Sequence, residues 1–294
     1  MVIWLKAIRP ATLWAGVAPV FVGSGLASMD EQFKILPMLI ALLGAVLIQI
    51  GCNLVNDYSD FETGADDENR LGPARAAQKG WLSVDELKRG AQVSLALAGL
   101  SGAYLTWVGG WPILVLGVLS IICAIAYTAG PFPLGYLGLG DIFVMLFFGF
   151  GAVAGTYFVQ AGTVPVHVWP WCWAVGALAT AILVVNNLRD RVGDANVGKR
   201  TLAVRFGAGF ARLEYTLLVL SAFAVPGYSY VSILGSCTDQ PWIALCPLVV
   251  LPFGIVLIYK VWATDGQSLN PLLGQTAVLE LGFCLLATVS FVLR

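Results

Sequence analysis

NLVNDYSDFETGADDENRLGPAR (residues 53–75) and NNLRDRVGDANVGKRTLAVR (residues 186–205) are the two stretches that decide how this chain is read. Each follows directly on a long apolar run, and each mixes carboxylates, Asn and cations in a sequence otherwise nearly free of charge. In the second stretch Asn186, Asp190 and Asp194 recur at i, i+4 and i+8, which places them on one face of a helix. In the first, Asn56 and Asp60 repeat the i, i+4 pair. Gly64 then ends that helix, letting Asp66 fold back toward the same side. Both stretches are expected to converge on bound divalent metal and a diphosphate, held by a membrane-embedded cage made by the rest of the chain.

Composition supports the cage. The chain is 59% hydrophobic and 11% charged, with mean hydropathy +0.84, whereas a soluble domain carries about a quarter charged residues. A net charge of -1 argues against nucleic acid as a partner. Cys52, Cys123, Cys172, Cys237, Cys246 and Cys284 show no CxxC pair and no metal-ligand spacing, and are expected to be buried thiols acting as small hydrophobes. The lone His167, in VPVHVWPW, has no carboxylate nearby in sequence and is expected to be an interfacial residue, not a ligand. Lys6 and Arg9 ahead of apolar residues 11–27 imitate a secretory signal. Because apolar stretches continue to the C-terminus, this segment is expected to be a retained first helix.

A membrane span needs about 20 mostly apolar residues. Nine candidates run near 11–28, 36–55, 91–108, 112–128, 139–161, 168–187, 211–231, 242–261 and 272–293. The fold class is therefore all-α and polytopic, with about nine transmembrane helices in a single domain. Nine spans put every Lys and Arg except Lys34 and Arg294 on one face, which the positive-inside rule makes cytoplasmic. Both acid-rich stretches emerge on that face, four spans apart. They suggest two pseudo-repeats, roughly 1–130 and 131–262, plus a last helix. They also open the two longest connections, as functional lids do. In WLSVDELKRG (81–90), Ser83 three residues before Glu86 predicts a capping box that opens a short interfacial helix.

Solvated loop acids are the bland reading of these stretches. Against it, carboxylates on the inward face of an apolar helix are costly unless they meet a cavity or a counter-charge. Oxygen-only donors without His or Cys point to a hard cation, and Mg²⁺, which shares its shell with phosphate oxygens, is the best candidate. Asp60 and Asp66 are expected to meet Asp190 and Asp194 across a bundle, with Arg70, Arg75, Lys199 and Arg200 holding the remaining diphosphate oxygens. Such a site makes diphosphate a good leaving group. A membrane cage implies that the other end of the substrate is lipid, so an allylic prenyl diphosphate fits both halves. Its carbocation needs a dry, apolar, aromatic-lined chamber.

NDYSDFETGAD and NNLRDRVGDANVGKRT, each after an even-numbered span, resemble the UbiA superfamily of intramembrane prenyltransferases over essentially the whole chain, from RPATLWAGVAPVFVG (9–23) onward. ENRLGPAR, YTAGPFPLGYLGLGD (127–141), FFG (147–149) and GKRTLAVRFG (198–207) resemble its naphthoate branch. The resemblance implies a UbiA-like bundle with cytoplasmic cap loops in a bacterial inner membrane. It also implies Mg²⁺-dependent transfer of a polyprenyl group from polyprenyl diphosphate to 1,4-dihydroxy-2-naphthoate, with loss of its carboxylate. Asn56 and Asp60 match the first two positions of its Asn-x-x-x-Asp-x-x-x-Asp motif. The third falls on Gly64, a departure, and Asp66 is the substitute. Asp57 is expected to be a neighbouring ligand or to hold water. Asp190 and Asp194 match the second motif, with Asn186 one turn earlier, and Arg75 and Arg70 match the cations on diphosphate. The Lys that some relatives carry after span 4 is absent, which leaves Tyr127 for that contact. Arg9 has two readings, a contact to the acceptor carboxylate or a positive-inside anchor. Asp141 is a helix cap or part of the site, and Glu280 has no assigned role. Other acceptors, such as 4-hydroxybenzoate, homogentisate or haem, use the same metal chemistry. A secondary transporter is the rival from another class, but it would place its charges near the midplane.

Overall fold

The computed structural model describes residues 2–66, 70–233 and 240–294, so Cys237 and residues 67–69 of the first acid-rich stretch lie outside the described residues. A short helix α1 (Val2–Ala7) precedes α2 (Pro10–Met29), α3 (Ile35–Glu62), α4 (Val84–Gly109) and α5 (Trp111–Ala126). The next span, Gly140–Ala161, is composite: α6 (Gly140–Val144), a π-helical segment Met145–Ala154, then α7 (Gly155–Ala161). After it come α8 (Trp169–Asn196), α9 (Leu202–Ile233), α10 (Leu251–Ala263), led by the 3₁₀ stretch Pro241–Val250, and α11 (Asn270–Val292). Among the described residues there is no strand. Among the described residues, eight helical segments are long and apolar enough to cross a membrane, and α5, with 16 residues, is a shorter apolar ninth.

The acid-rich stretches are not loops that follow their helices; they are largely the last turns of them. α3 runs through Asp60 to Glu62 and α8 runs through Asp194 to Asn196. Gly64 closes α3 in the left-handed conformation (φ 75°), and the Asp66 N–H donates to the Asp60 carbonyl at 3.1 Å, so the chain does fold back there. Ser83 forms the predicted capping box with Glu86. The helix it opens is not a separate interfacial one, because it continues unbroken into the span as α4. α9 begins earlier than expected, with a break at Gly207 (φ 85°) setting off its first turn.

α8 is the central helix, with 72% of its apolar window inside the protein. Small residues let its neighbours approach. A Cβ on Gly149 would lie 2.4 Å from the Cys172 carbonyl oxygen and 2.8 Å from the Gly176 Cα, and one on Gly176 would lie 2.9 Å from the Met145 carbonyl oxygen. The π-helical segment therefore meets α8 backbone to backbone, as small residues allow in membrane bundles. At the far end from the acids, His167 Nε2 lies 2.9 Å from Asp30 Oδ2, which also accepts a 2.5 Å hydrogen bond from the Tyr157 hydroxyl. The carboxylate comes from 137 residues away, beyond the reach of local sequence.

Asp141 is not a side-chain cap, for α6 has none; it is buried, and neither of its oxygens has a partner among the described residues. Glu280 is buried in α11, likewise without a partner for either oxygen. Gly149→Ala is expected to destabilise the bundle by about 1–3 kcal/mol through overpacking against rigid backbone, read as a lowered unfolding midpoint in detergent. An unchanged midpoint would refute this contact.

Candidate active site

The last turns of α3 and α8 face each other across a cavity of about 510 Å³. Asn56 and Asp60 reach it from α3, and Asn186, Asp190 and Asp194 from α8. Arg70 and Arg75 come from the connection after α3, Lys199 from the turn after α8, Tyr127 from the end of α5 and Arg9 from the start of α2. Of the residues read from sequence as site residues, Asp57 and Asp66 do not line the cavity, and neither does the cation Arg200.

Asp57 is one residue, hence about 100° of helix, away from Asn56. Its two oxygens accept from the backbone N–H groups of Ala76 and Ala77 at 3.0 and 3.1 Å. It anchors the connection that carries Arg75. Asp66 is buried against cations: it pairs with Arg70 and lies 3.2 Å from Arg75 Nε. It orients those guanidinium groups.

The cavity acids are also paired. Asp60 has Lys199 Nζ at 3.1 Å and Arg75 Nη2 at 3.6 Å, and accepts from the Tyr136 hydroxyl at 3.1 Å. Lys199 also approaches Asp194 at 3.9 Å and sits 4.6 Å above the Tyr136 ring. Asp190 accepts two hydrogen bonds from Arg189, at 2.8 and 2.5 Å, and Arg189 further donates to Asn186 Oδ1 at 2.8 Å. Asn56 Oδ1 accepts from Thr128 at 2.6 Å. Burial pulls the Lys199 ammonium down, but Asp60 and Asp194 more than offset it, so it titrates above its ordinary range. Burial lowers Arg70 to about 10, against the pull of Asp190, which leaves it a cation at neutral pH. Burial likewise lowers Arg9, and it raises the Tyr127 phenol, which stays protonated. Arg9 holds a left-handed backbone (φ 52°), with one N–H given to the Asn53 carbonyl at 3.2 Å. Such strain in a non-glycine residue persists only where the surroundings enforce it. Here Asn53 enforces it, donating to the Ile8 carbonyl and the Thr12 hydroxyl, both at 2.9 Å.

No group of three or more His, Cys, Asp or Glu side chains among the described residues is close enough to hold one ion. The four-carboxylate convergence expected from sequence is therefore not a ready-made cage. The donors facing the cavity are nonetheless oxygens of Asn56, Asp60, Asn186, Asp190 and Asp194. That set fits a hard cation of the Mg²⁺ kind, which takes one or two protein carboxylates and fills its shell with water and phosphate.

A second cavity of about 370 Å³ lies behind the first, between α2, α3, α4, α5 and the composite span, and shares Gln49, Tyr127, Val144 and Phe148 with it. Its walls are apolar, including Val20, Ile48, Ile121, Phe143 and Phe147, with Cys52 and Cys123 among them. A charged vestibule thus opens onto a greasy chamber at Tyr127 and Phe148.

Residues 16–279 match the model of the UbiA prenyltransferase family. The chain belongs to that family. As a UbiA prenyltransferase it is an integral membrane enzyme. It is 39% identical over 280 residues to the 1,4-dihydroxy-2-naphthoate octaprenyltransferase of Escherichia coli (strain K12), covering 93% of this chain and 89% of that one. It is 36% identical over 287 residues to the enzyme of the same name from Haemophilus influenzae, covering 95% and 92%. A UbiA homolog from Archaeoglobus fulgidus, solved bound to GPP and Mg²⁺, shares the fold with a TM-score of 0.67 at 16% identity, covering 98% of this chain and 99% of that one.

Asp60→Asn and Asp190→Asn are each expected to lower prenyl transfer by about a hundredfold or more with the fold retained, and Arg75→Ala to act mainly on the KM for prenyl diphosphate. Steady-state assays at limiting Mg²⁺, with circular dichroism as the folding control, check this. Near wild-type rates in either Asp variant would remove that carboxylate from the site.

Proposed function

We propose that this enzyme transfers a polyprenyl group from polyprenyl diphosphate to 1,4-dihydroxy-2-naphthoate, releasing diphosphate and CO₂ and giving demethylmenaquinol. The single observation that carries the reading is the junction of a charged vestibule with an apolar chamber at Tyr127 and Phe148. The acceptor follows from two curated relatives, 39% and 36% identical over most of the chain, that bear the naphthoate name.

The diphosphate lies among Arg70, Arg75 and Lys199, and the isoprenoid tail lies in the chamber. Arg75 and Lys199 pair with Asp60 before substrate arrives, so the site is close to neutral and its cations are fixed in place at no later cost in ordering. Mg²⁺ would be held by Asp60, Asp190 and Asp194 with the Asn56 and Asn186 oxygens near, and when bound would supply charge neutralisation for the diphosphate. The bond from the allylic carbon to the diphosphate oxygen breaks with its electron pair leaving on diphosphate. The electron-rich naphthoate ring then forms the new carbon–carbon bond, and the ring carboxylate leaves as CO₂. Phe143, Phe147 and Phe148 keep water from the allylic cation. Arg9, half-buried at the vestibule wall with most of its donors unspent, receives the acceptor carboxylate.

The charged vestibule is cytoplasmic in a bacterial inner membrane, since the cations gather at that end of the bundle. Purified protein given Mg²⁺, a polyprenyl diphosphate and a panel of aromatic acids is expected to convert only 1,4-dihydroxy-2-naphthoate, with stoichiometric CO₂ and the decarboxylated prenyl product by mass. Preferential prenylation of 4-hydroxybenzoate or homogentisate would overturn the assignment.

A further inference from the structure

The last helix begins at the site. Asn270, the first residue of α11, turns one end of its amide to α8 and the other to the connection after α3: its Oδ1 accepts from Arg189 Nη1 at 3.0 Å, and its Nδ2 donates to the Leu71 carbonyl at 2.8 Å. Both bonds are partly buried, and they join residues 81 and 199 positions apart in sequence. Arg189, itself 3% exposed, spends its other donors on Asp190 and Asn186. Gly72, next to Leu71, completes the contact, because a Cβ there would lie 2.8 Å from Arg189 Nη2 and 2.9 Å from Arg70 Nη2.

We propose that Asn270 is a positioning residue that clasps the Arg70–Arg75 connection to the Arg189–Asp190 pair, so that cations of the first stretch and an acid of the second address one diphosphate. This rests on the reading of the vestibule as the diphosphate site. Across the cavity Lys199 already ties α8 to Asp60 directly. On the Arg189 side, Leu71 presents its backbone carbonyl to Asn270 and Gly72 leaves room for the Arg189 and Arg70 guanidinium groups. Asn270 stands between the Arg189 guanidinium and the Leu71 carbonyl and bonds to both. A carboxamide, with one acceptor and two donors, satisfies an arginine and a carbonyl at once. A carboxylate would lose the donor, and an alanine would lose both.

The test uses the full-length protein in detergent and two readouts that need no acceptor. The first is the rate of tryptic cleavage after Arg70 and Arg75, whose side chains are 12% and 10% exposed and so protected while the clasp holds. The second is the Kd of a non-reactive prenyl thiolodiphosphate in the presence of Mg²⁺. Asn270→Ala is expected to speed cleavage at those bonds and to weaken binding by about tenfold, the value of one or two lost hydrogen bonds, while kcat at saturating diphosphate stays near wild type. Gly72→Ala, which pushes Arg189 away from the connection's own side, should give the same pair of changes and covers the case in which the Asn270 variant does not fold. Unchanged cleavage or unchanged Kd in the folded variants overturns the clasp. Wild-type protein that fails to bind the thiolodiphosphate overturns the diphosphate site itself, a different result from loss in the variants alone.

Discussion

Asp60 is where the two halves of the site meet. It receives Arg75 from the connection that follows its own helix and Lys199 from the turn after α8, more than a hundred residues on. Its side chain is 5% exposed and that of Lys199 16%. Each member of the pair has a second counter-charge, Arg75 for Asp60 and Asp194 for Lys199. The pair fixes the gap between α3 and α8, and with it the width of the vestibule. Tyr136 reinforces the join: its hydroxyl donates to Asp60 while its carbonyl accepts the Arg200 N–H at 2.8 Å.

The rest of the bundle makes that gap useful. A polyanion needs cations and hard-metal oxygens, whereas an isoprenoid needs hydrocarbon, and the two environments must touch at the reacting carbon. α8 sits at the centre because most of its apolar length is buried while its last turns carry Asn186, Asp190 and Asp194. The π-helical segment brings Phe147 and Phe148 to the chamber while Gly149 lies against α8. π-helical turns gather at functional sites because they re-aim side chains at the cost of regular hydrogen bonding.

Much of this was legible in the residues. The i, i+4, i+8 spacing in α8 works because a helix places such residues on one face, and the same rule serves Asn56 and Asp60. The apolar runs announce the spans, with boundaries drifting by a turn or two where polar residues continue a helix past the hydrocarbon, as in α3 and α8. What was not legible depends on contacts across the fold. Asp57 is a carboxylate beside a motif Asn, and only the position of Ala76 and Ala77 reveals it as an anchor. Asp66 has the chemistry of a ligand, but its neighbours Arg70 and Arg75 claim it. Asn53, Thr128, Tyr136, Arg189 and Asn270 carry no signal of their own, because each is defined by a partner distant in sequence.

The central claim is that two remote clusters share one ion-bridged diphosphate. Electron paramagnetic resonance of Mn²⁺, added in place of Mg²⁺ with a non-reactive prenyl thiolodiphosphate, tests it without turnover. The account predicts phosphorus coupling to the bound ion in the native protein, and loss of that signal when the carboxylate is removed from α3 alone or from α8 alone. A coupled Mn²⁺ signal that survives removal of either cluster would contradict it.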